Sequence, residues 1–296
     1  MSRVIIHIGY PRAGSTFLQN WFQQHPLINY AYNKIGGFSS AHELCAYAQK
    51  NQSIHEYFAF SSEDFALWRG DMNIVGLRYT PYNISSYQEN LCHALYRLFP
   101  TGKVLIVTRG FASVIRSVHA HYLASGGVLS FSKFQQENGE MLSAFFNYSR
   151  ILTLYRNAFG ADNVIIMPYE LLNENPENFI CELEAELGIA THFFLSKDKV
   201  NMSFDGTLLE AYRKFSAFLF KLLIPFPYRM QYGIYGFYIY LLFTFKPFPP
   251  IKLIHRMMRT RVPEPVEEQT LKYFSGMGEM LKQEKLFQPY LKEYLE

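Results

Sequence analysis

Over the first two-thirds of the chain, short apolar runs alternate with longer stretches in which apolar residues recur every three or four positions. The first run, Val4, Ile5, Ile6 and Ile8, has the length and composition of a strand buried on both faces. Gly9, Pro11 and Gly14 then break regularity, and Ser15 and Thr16 are good helix starters. Phe17, Leu18, Trp21 and Phe22 follow at helical spacing until Pro26. The prediction is strand, tight loop, helix.

The same alternation continues. Strands are predicted at 28–32, 57–61, 73–77, 104–107 and 164–167, and helices at 41–50, 86–99, 111–123, 139–159 and 176–187. Residues 34–40 and 125–127 read as Gly- and Ser-rich loops, and 61–64 as a helix start. Strands alternating with helices predict an α/β fold, a P-loop-like parallel sheet flanked by helices. The reading is one domain over 1–296, with a core at about 1–205 and a helical, aromatic-rich C-terminal part at about 206–296. In such sheets ligands sit beyond the carboxyl ends of the strands. Those ends carry Arg12, Glu63, Arg78, Arg109 and Tyr169.

The loop after the first strand has physical consequences of its own. A strand–loop–helix turn aims backbone N–H groups and the positive end of a helix dipole at one spot, which suits a phosphate or sulfate. Arg12 adds a permanently charged fork. The alternative is an ordinary strand–helix turn. The loop lacks the Gly-Lys-Ser/Thr ending of an ATP-binding P-loop, because Gly14 is followed by Ser15. Further on, Arg109 stands just past the 104–107 strand, with Ser117 eight residues later on the next helix. A strand-end guanidinium and a helix hydroxyl can grip one phosphate together.

Pro11-Arg12-Ala13-Gly14-Ser15-Thr16-Phe17 resembles the 5′-phosphosulfate loop of sulfotransferases that use PAPS (3′-phosphoadenosine 5′-phosphosulfate), with Arg12 where Lys is usual. Arg109 with Ser117 resembles that family's 3′-phosphate motif, although Gly110-Phe111-Ala112-Ser113 departs from its usual continuation. Met167-Pro168-Tyr169-Glu170-Leu171-Leu172 and Val200-Asn201-Met202-Ser203 resemble two later segments, the first near the adenine and the second a loop that closes over the cofactor. The likeness spans about residues 3–205 and is that of bacterial, carbohydrate-type members.

The resemblance implies sulfuryl transfer from PAPS to a hydroxyl or amine, with a glycan or glycolipid as acceptor and adenosine 3′,5′-bisphosphate as product. It implies Arg12 at the bridging oxygen and Ala13, Gly14, Ser15, Thr16 and Phe17 around the 5′-phosphate. It also implies Arg109 and Ser117 at the 3′-phosphate, and Tyr169, Asn201 and Ser203 as further cofactor contacts. A base must take the acceptor proton, and Glu63, His42 and Glu43 stay open as candidates. Arg78 is a candidate acceptor contact. No metal is expected, since no His/Cys/carboxylate cluster has ligand spacing. His119 and His121 read as surface or packing residues. Two alternatives remain, a nucleotide-dependent kinase and a non-catalytic peripheral membrane protein.

Composition changes the picture in two places. Cys45, Cys92 and Cys181 are too widely spaced for a disulfide framework or a metal site, and no basic stretch followed by an apolar one opens the chain. Both point to the cytoplasm. The net charge of +3 conceals a basic segment, in which nine Lys or Arg stand against one acid, Glu210, between Thr207 and Val262. Within it the 231–245 stretch has no charge but is short for a bilayer span. One reading packs its Tyr and Phe on the sheet as core. The other makes residues 215–261 a membrane-surface or acceptor-binding face. The packing reading is favoured, and nucleic-acid binding is not expected because no module for it is recognisable.

Overall fold

The structure, a computed structural model, describes residues 3–30, 56–62, 81–190, 192–193, 206–245, 249–257 and 265–295. The predicted loop at 34–40, helix at 41–50 and strand at 73–77 lie outside them. So do His42, Glu43, Glu63, Arg78, Asn201 and Ser203.

Among the described residues five strands form one sheet in the order β2-β3-β1-β4-β5, every neighbouring pair parallel. They are β1 (Arg3–Ile8), β2 (Ile28–Tyr30), β3 (Tyr57–Ser62), β4 (Lys103–Thr108) and β5 (Val164–Pro168). The expected burial on both faces is clearest in β4 and β5, where Val104 to Thr108 and all of Val164–Pro168 are buried. The registers pair Ile8 with Ser62 and with Ile106, and Thr108 with Pro168. The carboxyl ends of β1, β3, β4 and β5 therefore lie along one edge, as the strand-end argument requires.

Helix α1 (Ser15–Gln24) buries Leu18, Trp21 and Phe22 and stops before Pro26. Helix α2 (Pro81–Leu98) begins five residues before the predicted start, as a Pro in the first turn allows. The single helix expected at 139–159 is two: α3 (Phe111–Ala124) is followed by α4 (Phe131–Phe145) and α5 (Tyr148–Phe159). Asn147 makes the break, its side chain accepting from the Arg150 N–H as an N-cap at 3.0 Å. Helices α6 (Tyr169–Glu174) and α7 (Pro176–Leu187) follow β5 without a loop, so Tyr169 and Glu170 start a helix.

The C-terminal part divides in two. Helices α8 (Gly206–Leu223), α9 (Tyr228–Thr244) and α10 (Pro249–Met257) form a small separate cluster around Tyr212, Leu223, Tyr235, Tyr238, Leu242 and Ile251. The last residues, from α11 (Glu268–Lys272) to α12 (Lys292–Leu295), return to the sheet and put Phe274, Leu281, Phe287 and Tyr294 into the main core.

Candidate active site

The loop between β1 and α1 is fastened from below. Tyr10 is buried and meets Tyr148 edge-on at 5.6 Å, while the Ser15 hydroxyl donates to the Tyr10 carbonyl at 3.1 Å. Gly14 has φ 83° and is the N-cap of α1 with no side-chain cap. A Cβ there would stand 2.5 Å from Leu172 Cδ2 and 3.4 Å from the Tyr169 ring. The backbone conformation and the close approach of α6 both demand glycine. By helix geometry the first-turn N–H groups of α1 have no partner within the helix, and α1 begins just past the carboxyl end of β1.

Arg12 has φ 69°, the one non-glycine residue with positive φ among those described. A bulky residue in this region is strained and stays only where its surroundings hold it. Here its Nε donates to Ser117 Oγ at 3.0 Å, and its carbonyl accepts from Arg109 Nη1 at 2.8 Å. Arg109 also donates from Nε to Ser113 Oγ at 2.8 Å, and its guanidinium lies over the Tyr169 ring at 4.5 Å. The strand-end side chains Arg12, Arg109 and Tyr169 thus meet, joined by Ser113 and Ser117 from one face of α3. Ser117 is hydrogen-bonded to Arg12, and Ser113 takes the direct contact to Arg109.

Burial depresses both guanidinium pKa values. For Arg12 the Tyr169 phenol opposes this. For Arg109, Tyr169 and Glu170 oppose it, and the neighbouring Arg12 charge adds to it. Two cations held side by side in a partly dehydrated place lose solvation and repel each other, and an anion relieves both costs. Glu170, whose charge acts on Arg109, is committed elsewhere. It accepts from the Gly110 N–H at 2.9 Å and from the Tyr294 hydroxyl at 2.5 Å, and Tyr294 in turn accepts from Thr108 Oγ1 at 3.1 Å. Tyr148 closes the other side, donating to the Arg109 carbonyl and accepting from its N–H at 2.8 and 3.2 Å. Phe111 stacks on Tyr148 with ring centres 5.4 Å apart.

The sequence motifs include Ser113 and Glu170 without a role for either, and contain neither Tyr148 nor Tyr294. Ser113 had a usable signal, since it lies one helical turn from Ser117 on the same face. His119 packs as expected, buried with Nε2 3.1 Å from the Leu129 carbonyl. Among the described residues no three His, Cys, Asp or Glu are grouped to hold a metal ion.

Residues 4–192 match the model of the sulfotransferase family, well over half of the chain. The chain belongs to the sulfotransferase family. Membership makes it a sulfuryl-transferring enzyme and sets the kinase alternative aside. No curated protein matches the chain. Among solved structures it is similar to a sulfotransferase from Alicyclobacillus acidocaldarius at 16% identity, with a TM-score of 0.50. The match covers 78% of this chain and 99% of that one. At that identity the likeness speaks for the fold, a parallel α/β sheet with flanking helices.

Proposed function

We propose that this sulfotransferase takes the sulfuryl group from PAPS and delivers it to a hydroxyl or amine of a glycan or glycolipid, releasing adenosine 3′,5′-bisphosphate. The observation that carries the reading is the meeting of Arg12 and Arg109, two partly dehydrated cations, each bonded to one α3 hydroxyl and linked through the Arg12 carbonyl, at the mouth of a strand–loop–helix turn. The donor set consists of guanidiniums, hydroxyls and helix-start N–H groups. It fits a ligand with two phosphate-like ends.

In this reading the N–H groups of Gly14, Ser15, Thr16 and Phe17, beside Ala13, hold the 5′-phosphate. Arg109, with Ser113 and Ser117, holds the 3′-phosphate, and Tyr169 lies against the nucleoside. Asn201 and Ser203 supply further contacts, and Arg78 an acceptor contact. Arg12 faces the oxygen bridging phosphorus and sulfur. The bond from sulfur to that oxygen would break as the acceptor oxygen or nitrogen bonds to sulfur, and Arg12 would stabilise the charge left on the phosphate. The acceptor proton goes to Glu63, His42 or Glu43. No residue of the chain becomes covalently modified, so positioning and charge do most of the work.

The wide spacing of Cys45, Cys92 and Cys181 supports a reducing compartment, and the proposed location is the cytoplasm. Thermal-shift titration with PAPS, adenosine 3′,5′-bisphosphate and ATP tests the donor assignment. Stabilisation by the first two at concentrations where ATP has no effect is expected; stabilisation by ATP alone would reject it.

A further inference from the structure

Where packing on the sheet was expected, the aromatic segment buries one narrow stripe in a cluster of its own, against neighbouring helices. On α9, Tyr235, Tyr238 and Leu242 are buried against α8 and α10, and the Tyr238 hydroxyl lies 2.8 Å from Ser216 Oγ. Around the remainder of the helix the side chains are apolar and open. Of the fifteen large hydrophobic residues exposed on the described surface, thirteen lie between Phe218 and Leu253. Tyr228, Tyr232, Phe237 and Tyr240 are each more than 60% exposed, and Phe218, Ile224 and Leu253 are equally open. A helix apolar nearly all round, yet buried on one stripe, has a surface that water disfavours.

The charges around this surface have one sign. Lys214, Lys221, Arg229, Lys252 and Arg256 are exposed. The single acid between Gly206 and Met257, Glu210, is buried in a two-pronged ion pair with Arg213 at 2.6 and 2.7 Å.

The turn between α8 and α9 carries a second, independent feature. Its side chains Ile224 and Phe226 are exposed, but most of its backbone polar groups are bonded within the turn. The Ile224 and Phe226 N–H groups donate to the Lys221 and Leu223 carbonyls at 3.4 and 3.0 Å, and Pro225 and Pro227 have no N–H to satisfy. The Gln231 side-chain amide donates to the Ile224 and Phe226 carbonyls at 3.2 and 2.7 Å. The Pro227 carbonyl accepts from the Met230 and Gln231 N–H groups. A turn in water has no need of such closure, whereas one that enters an apolar phase does.

We propose that the α8–α9 hairpin and α10 dock this enzyme on an anionic bilayer, the aromatics at headgroup depth and the five cations over the anionic lipids. Among the described residues no helix is long and apolar enough to cross a membrane, so the attachment is to one face. The docked unit is tied to the site helix: α8 packs on α3, and the Tyr235 hydroxyl donates to the Gly126 carbonyl just beyond the end of α3. The helix that carries Ser113 and Ser117 is thereby fixed relative to the lipid surface. If the proposed glycan acceptor stands, this arrangement selects a lipid-linked one.

Co-sedimentation with phosphatidylcholine vesicles, with and without phosphatidylglycerol, tests the docking independently of activity. The chain should sediment with the anionic vesicles at low salt, and far less with neutral vesicles or at high salt. Each cation is worth about fivefold in partitioning. The combined substitution Lys221→Gln, Arg229→Gln and Lys252→Gln should therefore lower binding on the order of a hundredfold. The combination Tyr232→Ser, Phe237→Ser and Tyr240→Ser should also abolish sedimentation while leaving the melting temperature unchanged, because these side chains are exposed. Absence of sedimentation of the unsubstituted chain with anionic vesicles at low salt would overturn the proposal. So would a lipid-free dimer that dissociates on the aromatic substitutions while vesicle binding is absent, since a second copy would then cover the face.

Discussion

Replacing Arg109 with alanine separates the two ends of the nucleotide. The guanidinium makes two hydrogen bonds inside the protein, to Ser113 Oγ and to the Arg12 carbonyl, and covers the Tyr169 ring. A contact between a charged donor and a phosphate is worth roughly 1.5–3 kcal/mol, so loss of the proposed 3′-phosphate contact lowers affinity about ten- to a hundredfold. Loss of the bond to the Arg12 carbonyl loosens the positive-φ loop. That affects every ligand with a 5′-phosphate, by about 1 kcal/mol or fivefold. The unliganded protein loses little, because removing a partly dehydrated cation beside Arg12 offsets two hydrogen bonds. Calorimetric titration with adenosine 3′,5′-bisphosphate and with adenosine 5′-monophosphate should therefore show a large loss for the first and a few-fold loss for the second. Arg109→Lys should fall between, since an ammonium keeps the charge but not the fork that reaches Ser113 and Arg12 together. Equal losses for the two nucleotides would refute the assignment of Arg109 to the 3′-phosphate.

Gly14→Ala forces a Cβ to 2.5 Å from Leu172 in a left-handed conformation, and should weaken nucleotide binding and lower the melting temperature together. Thermal melts with and without nucleotide would show both losses, and an unchanged variant would count against the loop geometry. Glu63→Gln, His42→Ala and Glu43→Gln are compared by turnover at saturating donor. One should lose most of its rate with donor affinity intact, and three unimpaired variants would place the base elsewhere. His7 is fully buried with Nδ1 2.7 Å from Ser61 Oγ, and burial pushes its imidazole down to about 3. Between pH 6.5 and 3 the unfolded chain binds a proton that the folded chain refuses, so stability falls with pH. The loss between pH 7 and 5 is about 2 kcal/mol. Denaturant melts of His7→Gln should show a pH dependence shallower by about that amount, and parallel curves would contradict it.

The sheet was legible because buried parallel strands leave continuous apolar runs, and the runs at 4–8, 57–61, 104–107 and 164–167 each became a strand. The meeting of Arg12, Arg109 and Tyr169 was legible for the same reason, as residues just past parallel strands must share an edge. The break between α4 and α5 was hidden. Phe145, Phe146 and Tyr148 continue an apolar pattern across it, and Asn147 alone marks the new helix start. The support under Glu170 was illegible in principle, since Tyr294 reaches Thr108 across 186 residues and no local pattern encodes such a contact. The aromatic segment misled because periodicity separates inside from outside only when polar residues mark the outside. On α9 Tyr occupies both the buried stripe and the open face, and Ile234 and Phe237 are open while Leu242 is buried, so the pattern could not say which side was covered.

Donor choice tests the central claim most directly. The purified chain is incubated with a panel of glycans and extracted glycolipids, in parallel with PAPS labelled on sulfur and with ATP labelled on its terminal phosphorus. Label should pass from PAPS alone, with one adenosine 3′,5′-bisphosphate released for each sulfate transferred, and should be lost in Arg12→Ala. Label passing from ATP, and none from PAPS, would contradict the account.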